Sequence, residues 1–200
     1  MHYETSKNDH GLPYNPFKAI VAPRPIGWIS TLDKEGRSNL APYSFFNGIG
    51  DAPPMVMFAS SGFKDSAANI AATGEFVCNM ASQDLQEAMN VSSAPLAAGV
   101  SEFELAGLEM APSKLVKVPR VASAYTALEC KHLQTIRMQD LDGNDTESWV
   151  VFGQVVSVYI DDSVVVDGML DLTKVRPLAR LGYKDYAVVE ELFQMARPSA

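Results

Sequence analysis

Cysteine is scarce in this chain: of 200 residues only Cys78 and Cys130 carry a thiol, and neither sits at the spacing of a metal site or a redox motif. Both stand in strand-like apolar surroundings, EFVCNMA and ALECKHL, and read as buried, reduced thiols. Histidine is nearly as rare, and His2, His10 and His132 are too scattered to ligate a metal, so none is expected. Cations are outnumbered: 16 Lys and Arg against 24 Asp and Glu give a net charge of −8 and a pI near 4.8. That balance argues against sequence-independent nucleic-acid binding, which rests on clustered Lys and Arg. No apolar run approaches the roughly 18 residues of a membrane helix. The start, MHYETSKNDHG, lacks the cationic and apolar regions of a secretory signal, so a cytoplasmic location is expected. Also missing are a glycine-rich dinucleotide fingerprint behind a strand, a GxxxxGK[ST] loop and a GxSxG elbow, which removes the simplest Rossmann, P-loop and serine-hydrolase readings.

What is present is ordinary globular material, 47% apolar and 20% charged, enough for one core. Residues 1–13 are polar and read as a flexible arm, and 14–200 as a single domain. The apolar periodicity is mostly that of strands. Ile26 to Leu32, the turn Asp33-Lys34-Glu35-Gly36 and Ser38 to Ala41 form a hairpin signal. Met55 to Ala59 and Glu75 to Met80 are short buried strands. Ala124 to Met138 and Ser148 to Ile160, joined at Asp142-Gly143-Asn144-Asp145, are long β-branched and aromatic runs. Helices are fewer: Asp65 to Thr73 ends at Gly74, and Gln83 to Met89 follows Ser82 as N-cap. Many strands with a few short helices predict a mainly β fold, a closed or partly closed antiparallel barrel.

The chemistry concentrates between Pro23 and Asn69. Ser60-Ser61-Gly62-Phe63-Lys64-Asp65-Ser66-Ala67-Ala68-Asn69 leaves a strand and enters a helix, bringing hydroxyls, a lysine and unpaired first-turn N–H groups to one place. That combination favours an anion such as a terminal phosphate, although Ser61 or Asp65 capping the helix beside a solvated Lys64 accounts for the segment equally well. Ser30-Thr31 and Asn39 to Asn47 add small polar groups and the aromatic faces of Trp28, Tyr43, Phe45 and Phe46. A flavin needs polar groups at its ring edge and apolar ones on its faces. Pro42, having no N–H, is expected to interrupt a central strand and free neighbouring peptide groups.

Ordered motifs then carry a family resemblance: PRPIGWIST at Pro23–Thr31, NLAPYSFFN at Asn39–Asn47, PPMVMFA at Pro53–Ala59 and KDSAANI at Lys64–Ile70. Weaker echoes are EFVCNM at Glu75, ALEC at Ala127, VFGQVVSVYIDD at Val151 and RLGYKDYAVV at Arg180. From about Tyr14 to Val189 the chain resembles the FMN-binding split-barrel flavoproteins of the flavin reductase-like class. The resemblance implies a Greek-key split barrel, a homodimer formed through the sheet, and noncovalent FMN near the subunit interface. By motif position it puts Trp28, Ile29, Ser30, Thr31, Ala41, Pro42, Tyr43 and Ser44 along the ring and ribityl chain. Around the phosphate it puts Ser60, Ser61, Lys64, Asp65, Ser66 and Asn69. A carboxylate beside a phosphate repels it, so Asp65 is expected to cap the helix or to pair with Arg24, Arg37 or Lys64. Relatives carry His in the strand where this chain has Tyr159, which can hydrogen-bond but cannot hold a cation near neutral pH.

The function implied is an NAD(P)H-dependent flavin oxidoreductase, in which hydride from NADH or NADPH reaches FMN and electrons pass onward. No side chain is assigned as catalytic, because the protein's part is positioning. Two alternatives remain at this level: an FMN electron-transfer protein docking a protein acceptor through its acidic surface, and a protein that only stores or senses flavin. The terminal run Glu190 to Met195 is either a short amphipathic helix or a frayed end.

Overall fold

The computed structural model describes residues 1–95 and 100–198. In chain order the elements are α1 (Phe17–Ile20), β1 (Arg24–Pro25), β2 (Gly27–Leu32), β3 (Ser38–Tyr43), β4 (Phe46–Asp51), β5 (Pro54–Ser61), α2 (Asp65–Thr73) and β6 (Glu75–Met80). A 3-10 turn (Gln83–Leu85), α3 (Gln86–Val91), α4 (Glu102–Leu105), β7 (Met110–Ala111) and β8 (Arg120–Val121) follow. Then come β9 (Thr126–Gln139), β10 (Asp145–Ile160), β11 (Val165–Val166), β12 (Met169–Leu170), α5 (Leu172–Val175), β13 (Leu178–Arg180) and β14 (Tyr186–Val188).

Seven strands make one antiparallel sheet in the order β3-β2-β6-β9-β10-β5-β4, and β1 joins β13 and β14 in a smaller one. The two outer strands of the large sheet, β3 and β4, follow each other directly in the chain, so the sheet curls to bring its ends together, and the Ala59 N–H donating to the Phe45 carbonyl at 2.8 Å extends the β4–β5 pairing to that corner. This is a split barrel, as the family resemblance implies, and mainly β, as the strand-rich pattern predicts. Closure of this kind removes most of the unpaired edge that an open sheet would expose.

Strand β2 shows why the barrel holds together. Side chains alternate across a strand, and here both faces are covered, so Gly27 to Thr31 are all buried. Ile29 enters the barrel interior with Phe58, Phe76, Cys78, Cys130 and Val151, closed by Ala67 and Ile70 of α2. Trp28 faces the other way, into a second cluster with Leu40, Met89, Phe103 and Val121. Gly153 belongs to the interior as well: a Cβ there would lie 2.3 Å from Phe76 Cζ, so the Phe76 ring occupies the space a side chain would need. Cys78 and Cys130 are buried free thiols, and burial, followed by the adjoining Cys130, pushes the Cys78 thiol well above its ordinary value.

Several local expectations need correction. Pro42 does not interrupt a central strand, because β3 is an outer strand and runs through it to Tyr43. Leu40 N–H points outward and donates to Glu102 Oε2 at 3.1 Å. Two residues on, Pro42 faces the same outer side, so its missing N–H removes no ladder bond. Ser82 does not cap the following turn with its side chain, and its hydroxyl is buried without a partner. Of the two readings of Glu190 to Met195, the helix does not form, and the stretch has no regular secondary structure.

No helix among the described residues is long and apolar enough to cross a membrane. Among them there is also no group of three or more His, Cys, Asp and Glu that could hold a metal ion.

Candidate functional site

Polar side chains of β2, β3 and β5 gather at the start of α2: Thr31, Asn39 and Ser60. Helix α2 begins at Asp65 with Lys64 as N-cap, and no side chain caps it. The first N–H group of the α2 ladder with a helical partner is Ala68, which donates to the Lys64 carbonyl at 2.9 Å. The N–H groups ahead of it form the positive end of the helix dipole and are available to an anion. At the other end Gly74, at φ 77°, donates to the Ile70 carbonyl at 2.8 Å and stops the helix cleanly.

The helix is fixed by buried polar bonds to both strands of the first hairpin. Asn39 Nδ2 donates to Ser66 Oγ at 2.9 Å, and Asn69 Nδ2 donates to Thr31 Oγ1 at 3.1 Å. Ser60 Oγ donates to the Gly62 carbonyl at 2.8 Å and holds the loop that enters α2. Tyr43 packs its ring 4.6 Å from that of Phe58, with its hydroxyl toward Ser66 and Ser60. Burial pushes the Tyr43 phenol above its ordinary value, and the Asp65 and Glu102 carboxylates add to this against the pull of the two serines. The phenol therefore stays neutral and is a donor at physiological pH.

The residues expected along the flavin ring divide into two groups. Ala41, Pro42, Tyr43 and Ser44 lie part-exposed on the outer strand and just beyond it. Trp28, Ile29, Ser30 and Thr31 are 0% exposed. Trp28 Nε1 donates to Ser92 Oγ at 2.9 Å, and Ser30 Oγ donates to the Pro119 carbonyl at 2.6 Å. A group that no water reaches offers no contact to a ligand, so the expectation that these four line the ring becomes one of support from behind. Thr31 acts in that way through Asn69.

Around the phosphate segment, Ser61, Lys64 and Asp65 are exposed, whereas Ser60 and Ser66 are buried and Asn69 is partly so. Asp65 departs from expectation: it makes no capping bond, and among the described residues it enters no ion pair. Two of its three expected partners are engaged elsewhere. Arg37 binds Asp33 and Glu35, and Arg24 binds the carbonyls of Lys18, Val21 and Leu181.

Sequence reading missed Asn39 as a site residue, although it named the segment. It also missed the aromatic pair beside Lys64, where Phe63 and Trp149 stand 4.8 Å apart with the Arg137 guanidinium 5.5 Å from the Trp149 ring. The pairing of Trp149 with Ser60 across β10 and β5 brings this about, a register that no local pattern shows. Tyr159 lies ten positions further along β10 than Trp149, about 33 Å of strand at ~3.3 Å per residue. There Arg120 stacks on its ring at 3.6 Å and its hydroxyl faces Asp161 at 3.5 Å, so it is bound up in a cluster of its own.

Comparison with known proteins follows the same lines. The flavin reductase like domain matches residues 21–178. The chain belongs to that family. An uncharacterised protein of Aquifex aeolicus is 35% identical over 192 residues, covering 93% of this chain and 94% of its own. Among solved structures, nitrilotriacetate monooxygenase component B from Bacillus cereus superposes with a TM-score of 0.88 at 27% identity, covering 98% of both chains. The 2-nitrobenzoate 2-nitroreductase of Pseudomonas fluorescens superposes with a TM-score of 0.86 at 29% identity, over 100% of this chain and 97% of its own. The flavin reductase-like chain matched here therefore spans nearly the full length of these relatives.

Proposed function

We propose that this protein is an FMN-dependent oxidoreductase that takes hydride from NADH or NADPH, and that it works as a homodimer. The observation that carries the FMN reading is the uncapped start of α2, anchored by Asn39–Ser66 and Asn69–Thr31, inside a chain of the flavin reductase-like family. The residues fit the cofactor. Free N–H groups at Asp65 to Ala67, with Ser61 and the Lys64 ammonium, suit a phosphate dianion. Ala41 to Ser44 offer the outer side of β3 and a neutral phenol to a ring.

Bound FMN would supply the hydride and electron chemistry. The chain's own part is to hold and exclude. Ser60 fixes the entry loop, Ser66 and Asn69 fix the helix, and Tyr43 lends a donor without adding charge. Asp65 opposes the phosphate, and its carboxylate sits at the helix end where it helps the fold. The two closely superposing oxidoreductase-system proteins support turnover over storage of flavin.

Anaerobic titration with NADH and NADPH tests the reading. The purified protein, or the protein after incubation with FMN, is expected to be yellow and to bleach within seconds. A protein that stays colourless and leaves flavin fluorescence unquenched ends the FMN reading. Bleaching by dithionite but by neither nucleotide turns the reading to electron carrier or store. Sedimentation of the FMN-loaded protein at twice the monomer mass tests the dimer.

A further inference from the structure

Asn47 is the only asparagine in the chain followed by a glycine, and the pair lies near the start of β4. That strand ends the large sheet, so it has one neighbour, β5. Peptide groups alternate between the two edges of a strand. The Phe45 carbonyl accepts from Ala59, and two residues on Asn47 stands opposite Met57, so the peptide groups of Asn47 face β5 as well. The Gly48 N–H therefore points to the free edge. There it donates to Asn47 Oδ1 at 2.9 Å, and both residues are exposed.

That bond folds the side-chain amide over the next peptide and brings its carbon to the Gly48 nitrogen. Nothing crowds the approach: a Cβ built on Gly48 would meet only the Met55 carbonyl, at 3.9 Å. The pairing with β5 also slips between Gly48 and Gly50, which gives the strand local slack. Other asparagines are held differently. Asn39 and Asn69 give their amides to Ser66 and Thr31, and Asn79 is buried. Exposed Asn144 is tied to Asp140, with Nδ2 3.1 Å from Oδ2, and is followed by Asp145.

We propose that Asn47 is a self-modification site, which the chain converts to aspartate and isoaspartate without an enzyme. The Gly48 nitrogen attacks Asn47 Cγ. A C–N bond forms, the Cγ–Nδ2 bond breaks, and the side-chain nitrogen leaves as ammonia with the proton from Gly48. Water then opens the succinimide ring at either carbonyl, and no oxidant or cofactor takes part. Opening at one carbonyl leaves aspartate. Opening at the other reroutes the main chain through the side chain and inserts a methylene between Asn47 and Gly48. Either product adds a negative charge to a chain already at −8, and the longer one disturbs the register with Met57. Because β4 pairs with β5, whose last residues are Ser60 and Ser61, the lengthening acts on the strand that leads to α2.

Incubation of the protein at mildly alkaline pH tests this, with peptide mapping by mass spectrometry and labelling by an isoaspartyl methyltransferase. Alkali favours the reaction because the attacking nitrogen must lose its proton. Asn47 is expected to give both products, about tenfold faster than Asn144, and to slow at acidic pH. Gly48→Ala suits the strand, since Gly48 has no positive φ and its Cβ would meet nothing closer than ordinary contact. It should slow conversion about tenfold by crowding the nitrogen, with little change in melting temperature. The purified isoaspartyl form should melt below Asn47→Asp, which carries the charge without the extra methylene. The proposal falls if Asn47 stays intact, if Asn144 converts as fast, or if Gly48→Ala converts at the wild-type rate. An isoaspartyl form that melts together with Asn47→Asp overturns the effect on β4.

Discussion

Asp65 concentrates the conflict between fold and ligand at a single residue. Its carboxylate suits the positive end of α2, yet it stands where a phosphate is proposed to bind and has neither cap nor cation to neutralise it. Asp65→Asn removes the repulsion and keeps the shape. Flavin fluorescence titration is expected to show FMN binding several-fold tighter, with riboflavin unchanged, while thermal unfolding shows a loss of about 0.3–1 kcal/mol from the helix. Equal changes for FMN and riboflavin would move the phosphate away from α2. Gly153 gives the opposite kind of residue effect. Gly153→Ala drives a methyl into Phe76 and the Lys131 carbonyl, 3.3 Å away, so the barrel interior must shift. A destabilisation of about 1–3 kcal/mol by chemical denaturation is expected, as for an overpacked core.

At the scale of elements, α2 is a helix whose start is left open. Lys64→Ser supplies the missing side-chain cap, so it should raise stability by about 0.5–1 kcal/mol while weakening FMN, because the new hydroxyl competes for the same N–H groups and the Lys64 ammonium is lost. Stability and affinity moving together would contradict this. The element itself was legible in sequence, from Asp65 to its Gly74 stop, because capping chemistry is local. Strand β6 was equally legible from its apolar run. What stayed hidden depends on partners far away in the chain. The buried state of Trp28 to Thr31 follows from β2 having neighbours on both edges and clusters on both faces. Pro42 looked disruptive because nothing local says that β3 is an outer strand. Strand β10 begins at Asp145, three residues before the β-branched run suggests, because pairing with β9 extends the hairpin past its apolar part. The candidate segment from Ser60 to Asn69 was legible, whereas Trp149 comes beside it only through the register of β10 on β5.

For the molecule as a whole, acid is the expected weakness. Several carboxylates are held below their ordinary values: Asp161 and Asp171 by bonds from Ser163 and Thr173, and Glu75 because Lys131 and the Lys117 N–H outweigh the burial that would raise it. A depressed carboxylate adds stability above its unfolded pKa and loses it as the pH falls through the folded one. Unfolding free energy should therefore stay level from neutrality down to about pH 5 and decline below the ordinary range of 3.8 to 4.5. Denaturation curves across pH 3 to 7 check this, and a decline centred near pH 6 would implicate histidine instead. The long β9–β10 hairpin adds a second property at this scale. Leu133, Ile136 and Met138 are exposed along it, an apolar strip that suits the proposed subunit contact. Ile136→Glu is expected to shift the sedimenting species toward monomer, and an unchanged mass would place the contact elsewhere.

The two tryptophans sit at opposite extremes of the same barrel: Trp28 is sealed against Ser92, and Trp149 borders the start of α2 beside Phe63. The protein thus carries two separate optical gauges. Blue-shifted emission from Trp28 would report the integrity of the fold, and quenching of Trp149 by a flavin bound at the proposed site would report occupancy. A Trp28→Phe variant would isolate the second signal, so that loading of the flavin could be followed by light from the protein alone.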